Sequence, residues 1–269
     1  MELSVNYSLE AEQLRRDGKI RFDRFKCADW PDMIAAARKL LPIYVHFPLD
    51  AGSRSGRPPN FADADAMARD TETPFVNLHL VTWDRDFPDH APDSNDSSLT
   101  NQVIDRMLAD VAAATRVIGR ERLILENIPY FGRSSEFLRA CVEPGVIRKV
   151  IEQTGCGFLL DLSHARIAAH YLGVDPHAYV SSLPVERLRE LHVTGVRPHN
   201  DRLADHMDFR EEDWTWTAWA LDHIRAGRWA TPWTVALEYG GIGEPFKWRS
   251  DARAIETMVP RLYDMVRSV

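Results

Sequence analysis

Cysteine is scarce: Cys27, Cys141 and Cys156 are the three in 269 residues, and no two sit at a CxxC spacing. That excludes a disulfide framework and a cysteine-rich structural zinc site, and a reducing cytoplasm is the simplest setting. Basic runs are missing as well. The 33 Lys and Arg are scattered among 40 Asp and Glu, with a formal charge of −7, so nucleic acid is a disfavoured partner. Nowhere does the chain approach the roughly 18 consecutive apolar residues of a membrane span, and MELSVNYSLEAEQLRRDG lacks the apolar core of a signal peptide. A cytoplasmic protein that does not enter membranes is expected. No phosphate-loop or dinucleotide pattern occurs, and YGGIGEP after Glu238 reads as a turn. Neither an interdomain linker nor a fixed-period repeat is visible, so residues 1–269 are expected to form a single domain.

What is present is a series of short apolar runs, each ending on a polar side chain able to bind a metal. LPIYVHF, PFVNLHLV, RLILEN, GFLLDLSH, LRELHV and TVALE read as buried strands of about four to eight residues. They carry His46, His79, Glu126, Asp161 with His164, His192 and Glu238 at or near their C-terminal ends. ELSVNYS (2–8) and KIRFDRFKC (19–27) bring the strands to eight. Helical segments alternate with them: SLEAEQLRRDG, stopped by Gly18; DMIAAARKLL, entered through Pro31 with Asp29 as its cap; a stretch near 61–69; and TNQVIDRMLADVAAATRVIG. Further helices are expected at about 134–154, interrupted at Pro144-Gly145, then after Asp161, over EEDWTWTAWALDHIRAG and at about 250–267.

This rhythm predicts an α/β fold, a single (β/α)8 TIM barrel, in which the C-terminal ends of parallel strands gather residues remote in sequence. Residues 50–73 are expected to begin as a Gly/Pro/Ser/Arg loop. The loop WDRDFPDHAPDSNDSS follows the strand of His79 and reads either as a substrate wall or as a solvated connection.

Imidazole and carboxylate donors together suit iron, manganese or zinc, whereas a mainly oxygen shell favours magnesium. The candidate ligands are His46, His79, Glu126, Asp161, His164, His192, His206, Asp208 and Glu238, with Asp205 beside them. They exceed the positions around one ion, so two or three metals are more economical. Glu126 and Glu238 are also candidate catalytic groups, since a carboxylate near a metal can move a proton. The bland alternatives are a hydrogen-bonding role for each histidine and a basic partner for each buried carboxylate. His90, His170, His177, His199 and His223 lack the strand-end placement and read as surface or supporting residues. Trp214, Trp216 and Trp219 share helical spacing and read as packing, with substrate stacking as the minority view.

The ordered set His46, His79, Glu126, Asp161-x-x-His164, His192 and Glu238 resembles the xylose isomerase-like barrels, which include sugar epimerases and the endonuclease IV type. Within roughly 126–195, ENIPYFGRSSEFL, TGCGFLLDLSHARIAA, GVDPHAYVSSLP and RLRELHVTG resemble the multinuclear non-haem iron-dependent oxidative enzymes. That resemblance implies two or three irons, the use of dioxygen to modify a cysteine in a ribosomally made precursor peptide, and a partner protein that delivers the peptide. The chain departs from the family pattern at three places. Ser163-His164 stands where paired asparagines are usual, Ala204-Asp205-His206-Met207-Asp208 replaces an Asp-x-His motif, and DRFKCADW lacks a Glu-Asn pair.

The leading expectation is therefore a multinuclear iron oxidase acting on a cysteine-containing peptide or small thiol. A sugar isomerase or epimerase with one Mn or Mg, a metal-dependent phosphoesterase of the endonuclease IV-like type using zinc, and a binding module with a vestigial site are the alternatives.

Overall fold

The computed structural model describes residues 1–55 and 58–269; Gly56 and Arg57, part of the expected Gly/Pro/Ser/Arg loop, lie outside the described residues. Contacts divide the chain into two compact units that are interleaved in sequence. The first comprises Met1–His46, Thr71–Thr73 and Leu188–Val269, and the second Phe47–Asp70 and Pro74–Arg187.

In the first unit the chain forms β1 (Glu2–Asn6), α1 (Leu9–Arg16), β2 (Arg24–Cys27), α2 (Pro31–Ala37) and β3 (Ile43–Val45). In the second it forms β4 (Asp50–Ala51), α3 (Phe61–Asp70), β5 (Val76–Leu80), α4 (Ser97–Ile118), β6 (Leu123–Glu126), α5 (Pro144–Thr154), β7 (Gly157–Asp161), α6 (Leu162–Leu172) and α7 (Pro176–Ser182). The chain then returns to the first unit with β8 (Leu188–Val193), β9 (Gly195–His199), β10 (Arg202–Met207), α8 (Glu211–Arg225), β11 (Thr234–Leu237) and α9 (Ala252–Arg267).

The first unit is built on a parallel sheet in the order β3-β2-β1-β11-β8, with Leu3 beside Val235 and Val5 beside Phe25. Leu3, Val5, Phe25, Val235 and Leu237 are fully buried, as near-continuous apolar strands require when both sheet faces are covered. Helices α1 and α9 pack together here, and α9 also packs on β1. The second unit holds parallel β7, β6, β5 and β4, with Leu125 beside Phe158 and Leu78. Its longest helix, α4, buries Val103, Ile104, Met107, Val111, Ala114 and Ile118 at helical spacing. Asp96 accepts the Leu99 amide at its start, and Gly119 ends it.

All eight predicted strands are present, with differences at their edges. KIRFDRFKC is extended only over its last four residues, because Asp23 turns the chain and its carboxylate accepts the Leu3 amide. Trp30, not Asp29, occupies the cap position of α2 and makes no side-chain cap bond. The helix expected from about residue 134 begins at Pro144; 3-10 turns at Gly132–Ser134 and Arg139–Val142 precede it. Proline at the first helical turn opens the helix instead of interrupting it. Three strands lie beyond the predicted eight: the short β4, at Asp50–Ala51 where a loop is expected to begin, and the antiparallel β9-β10 hairpin, since RPHNDRLADHM carries no apolar alternation to signal it. Among the described residues no helix is long and apolar enough to cross a membrane.

Candidate functional site

In the second unit, neighbouring parallel strands place their terminal polar side chains together. Glu126 ends β6 and Asp161 ends β7, both essentially inaccessible to solvent, and His79 lies on β5 directly beside Glu126 in register. His164 follows one turn into α6, where the Asp161 Oδ1 caps the helix by accepting the His164 amide at 2.7 Å. One ligand atom from each of Glu126, Asp161 and His164 lies within 4.8 Å of the others.

Two asparagines fix this group. Asn127 clamps the peptide of Asp161: its Nδ2 donates to the Asp161 carbonyl at 2.9 Å and its Oδ1 accepts the Asp161 amide at 2.9 Å. Asn77 does the same to Phe47, accepting its amide at 2.7 Å and donating to its carbonyl at 3.1 Å; Nδ2 also reaches Glu126 Oε2 at 3.3 Å.

The histidines are oriented from behind. His164 Nδ1 meets the Asn127 carbonyl at 3.0 Å, and His79 Nδ1 meets the Leu49 carbonyl at 3.1 Å. A carbonyl has no proton to give, so each Nδ1 carries the hydrogen and, in the neutral ring, each Nε2 offers a lone pair. Those nitrogens face carboxylate oxygens: His79 Nε2 lies 3.3 Å from Glu126 Oε2 and His164 Nε2 lies 3.6 Å from Asp161 Oδ2. Acceptor facing acceptor repels unless a proton or a metal ion lies between them. A backbone carbonyl behind the far nitrogen is the usual support of a metal-binding imidazole. Asp50 also approaches His79, at 3.9 Å; burial raises its carboxyl above the ordinary carboxylate range, against the opposing pull of His79. A cavity of about 410 Å³ opens beside it, lined by Leu49, Asp50, Ser53, Arg54 and Asp110 among others.

The first unit gathers His46, His192, His206 and Glu238 differently. His192 is completely buried with a carboxylate at each ring nitrogen: Glu190 Oε1 lies 2.7 Å from Nε2 and Glu238 Oε1 lies 3.1 Å from Nδ1. Tyr44 donates to Glu190 at 2.8 Å and the Trp233 indole donates to it at 3.2 Å, so Glu190 is anchored and orients the imidazole. The rings of His46 and His192 lie 5.2 Å apart. His206 stands at a bulge in β10 with positive φ of 56°, and its Nδ1 donates to the Glu238 carbonyl at 2.9 Å. Asp205 is 3.8 Å from His206 Nε2. Asp208 is turned elsewhere: its carboxylate is half exposed and is bound by Arg197 at 2.9 Å. Glu238 meets a buried cation, since the Lys26 ammonium contacts its Oε1.

Sequence reasoning does not find Lys26, Glu190, Asn77 or the clamping role of Asn127. Glu190 is the most legible of these, because a buried acid two residues before a histidine on a strand projects from the same side. The tryptophans of α8 are packed among aromatic rings. Trp216 and Trp219 meet edge to face at 5.3 Å, and Trp219 meets Trp229 at 5.2 Å. His199 is exposed and stacks on Trp248.

A sequence profile for the RiPP precursor modification enzymes MbnB/TglH/ChrH matches residues 27–238. The chain belongs to this family. MbnB/TglH/ChrH membership spans both groups of ligand-type residues, from before His46 through Glu238. Among curated relatives, a UPF0276 protein of Rhizorhabdus wittichii is 28% identical over 184 residues, covering 66% of this chain and 63% of the relative. One from Caulobacter vibrioides is 26% identical over 183 residues, covering 65% and 63%. The chain thus spans less than two thirds of the length of these relatives. Solved structures extend the likeness to the whole chain at lower identity. D-psicose 3-epimerase of Clostridium cellulolyticum H10 superposes with a TM-score of 0.60 at 14% identity, covering 100% of this chain and 99% of that one. Endonuclease IV of Thermus thermophilus gives 0.58 at 15%, with the same coverage. Those likenesses establish the fold, an α/β TIM barrel, as the strand rhythm predicted.

Proposed function

We propose that this MbnB/TglH/ChrH family chain is a metal-dependent oxidase, using non-haem iron and dioxygen to modify a cysteine in a peptide substrate or a small thiol. The observation that carries the metal is the orientation of His79 and His164, whose lone pairs face Glu126 and Asp161. The mixed imidazole and carboxylate donors fit iron, and also manganese or zinc. His79, Glu126, Asp161 and His164 would hold the metal in the second unit, with His46, His192 and His206 as the candidate donors of the first. Bound iron would supply one-electron chemistry toward dioxygen and a soft site for a substrate thiolate.

The chain's own residues do the rest. Asn127 and the Leu49 and Asn127 carbonyls hold the donors at fixed angles, and the burial of Glu126 and Asp161 keeps bulk water away from them. Glu126, whose Oε2 lies beside His79 Nε2 and Asn77 Nδ2, would also be the group that accepts a proton from an arriving thiol. Arg54 lines the cavity at Asp50 with its guanidinium bound to Asp110 at 2.6 Å. A partner that delivers a precursor peptide belongs to this proposal.

The test is metal content per chain by elemental mass spectrometry on anaerobically purified protein, followed by oxygen uptake with cysteine-containing peptides. Iron at two or three per chain with thiol-dependent uptake supports the oxidase. About one manganese or magnesium without uptake overturns it in favour of an isomerase, zinc with phosphate release points to a phosphoesterase, and no metal at all leaves a binding module.

A further inference from the structure

We propose that Lys26 is a built-in cation that takes the place of a metal ion at Glu238, so that Glu238 is not a ligand and the chain binds one ion fewer than its donor residues would allow. This rests on the metal-dependent reading above. Lys26 and Glu238 are both nearly inaccessible, with 6% and 5% of their surfaces exposed, and they come from neighbouring regions of one unit: β2 pairs with β1, and β1 with β11, which Glu238 directly follows. The ammonium touches Glu238 Oε1, the same oxygen that lies 3.1 Å from His192 Nδ1. An ion bound by that oxygen and that nitrogen would have to sit where the ammonium is, or close enough to be repelled by it in a low-dielectric interior. The carboxylate also has no need of a metal, because a buried acid with a touching cation is already compensated.

The contrast with the second unit supports the assignment. There, the groups facing His79 Nε2 and His164 Nε2 are carboxylates, and Glu126, Asp161 and His164 each bring one ligand atom to within 4.8 Å of the others. Glu238 and His192 also bring ligand atoms close together, and what sets Glu238 apart from Glu126 and Asp161 is the ammonium on its Oε1. In the first unit Glu190 orients His192, a role that does not depend on an ion at Nδ1. Lys26 stands at the strand where DRFKCADW departs from the family pattern, so the departure has a structural meaning: a fixed charge replaces an exchangeable one.

The test compares bound metal in three proteins loaded with Fe(II) under anaerobic conditions and freed of excess: the unaltered chain, Glu238→Gln and Lys26→Met. The proposal expects Glu238→Gln to keep the metal count of the unaltered chain, and Lys26→Met to gain about one ion per chain and a larger rise in Tm on adding Fe(II). A fall in metal content in Glu238→Gln overturns it, as does an unchanged count in Lys26→Met. If Lys26→Met does not fold, Lys26→Gln, which keeps a donor to Glu238, takes its place under the same criteria. Glu126→Gln separates the two failures. If the unaltered chain binds no iron that depends on Glu126, the metal-dependent reading fails; if it does and Glu238→Gln loses iron, only the role of Lys26 fails.

Discussion

His79 turns its Nε2 toward Glu126 Oε2 at 3.3 Å while its Nδ1 donates to the carbonyl of Leu49. The ring is therefore held in one tautomer from one side and presented to a carboxylate on the other. His164 repeats the relationship with Asn127 behind it and Asp161 in front. Two donor pairs built alike on adjacent segments are the firmest ground for a metal in the second unit.

Replacing Asp161 by Asn should remove metal while sparing the fold. Asparagine caps helices about as well as aspartate, so the bond to the His164 amide and the start of α6 are retained. We expect metal content to drop at least about tenfold, with Tm nearly unchanged. Full metal content in Asp161→Asn would remove this residue from the ligand set. His90→Ala, in the loop after β5, serves as the control that should load normally.

Asn127→Ala should lower both stability and metal affinity. It deletes both side-chain bonds to the Asp161 peptide and leaves that buried amide and carbonyl with lost partners, a cost of about 1–3 kcal/mol for each group. Loosening a supporting residue typically weakens metal binding about 10–100-fold. Chemical denaturation and a competitive chelator titration measure the two effects separately. A stability loss with unaltered affinity would make Asn127 purely structural.

Much of this is readable from the sequence, and the boundary of what is readable is physical. Apolar runs ending in His, Asp or Glu announce the strands, because burial on both faces makes them near-continuously apolar and a polar group at the end stands out. Glu126, Asp161 and His164 are legible for the same reason. Glu238 reads as a buried acid needing a cation, but its partner Lys26 is 212 residues away and no local spacing encodes that meeting. Asp208 shows the converse: the acid is adjacent to the right motif, yet the β9-β10 hairpin delivers it to Arg197. Pairing of that kind depends on a turn of Asn200 and Asp201, both at positive φ, which apolar periodicity cannot reveal.

Alkaline pH should destabilise the protein through groups kept neutral by burial. Burial pushes the Cys141 thiol up to about 12 and the Tyr130 phenol up to about 12, from ordinary values of 9.0 and 10.0. Above those ordinary values the unfolded chain releases protons that the folded chain retains. The folded state then binds more protons, and stability falls as pH rises from about 9 toward 12. Thermal melts at increasing pH should show this decline, and Cys141→Ala should make it shallower. All three cysteines are buried, so alkylation of the native protein at mildly alkaline pH should label none of them. Rapid labelling would contradict the burial.

Trp216→Ala should be costly without touching the metal. Its side chain is buried, at 7% exposure, and packs on Trp219, so truncation should cost about 3–5 kcal/mol. Metal content per folded chain should stay constant. Loss of substrate binding with normal stability would revive the stacking role.

The two asparagine clamps change how the ends of the sheet behave. A strand normally frays at its last residue, where the next rung is missing. Here the side-chain amides of Asn77 and Asn127 act as substitute rungs, each gripping both backbone polar groups of one residue, at Phe47 and at Asp161. The backbone N–H of Asp161 should thus exchange with deuterium as slowly as one in mid-strand, opening only when the whole second unit unfolds. Rigidity at these positions is written into side chains, where a single substitution can take it away.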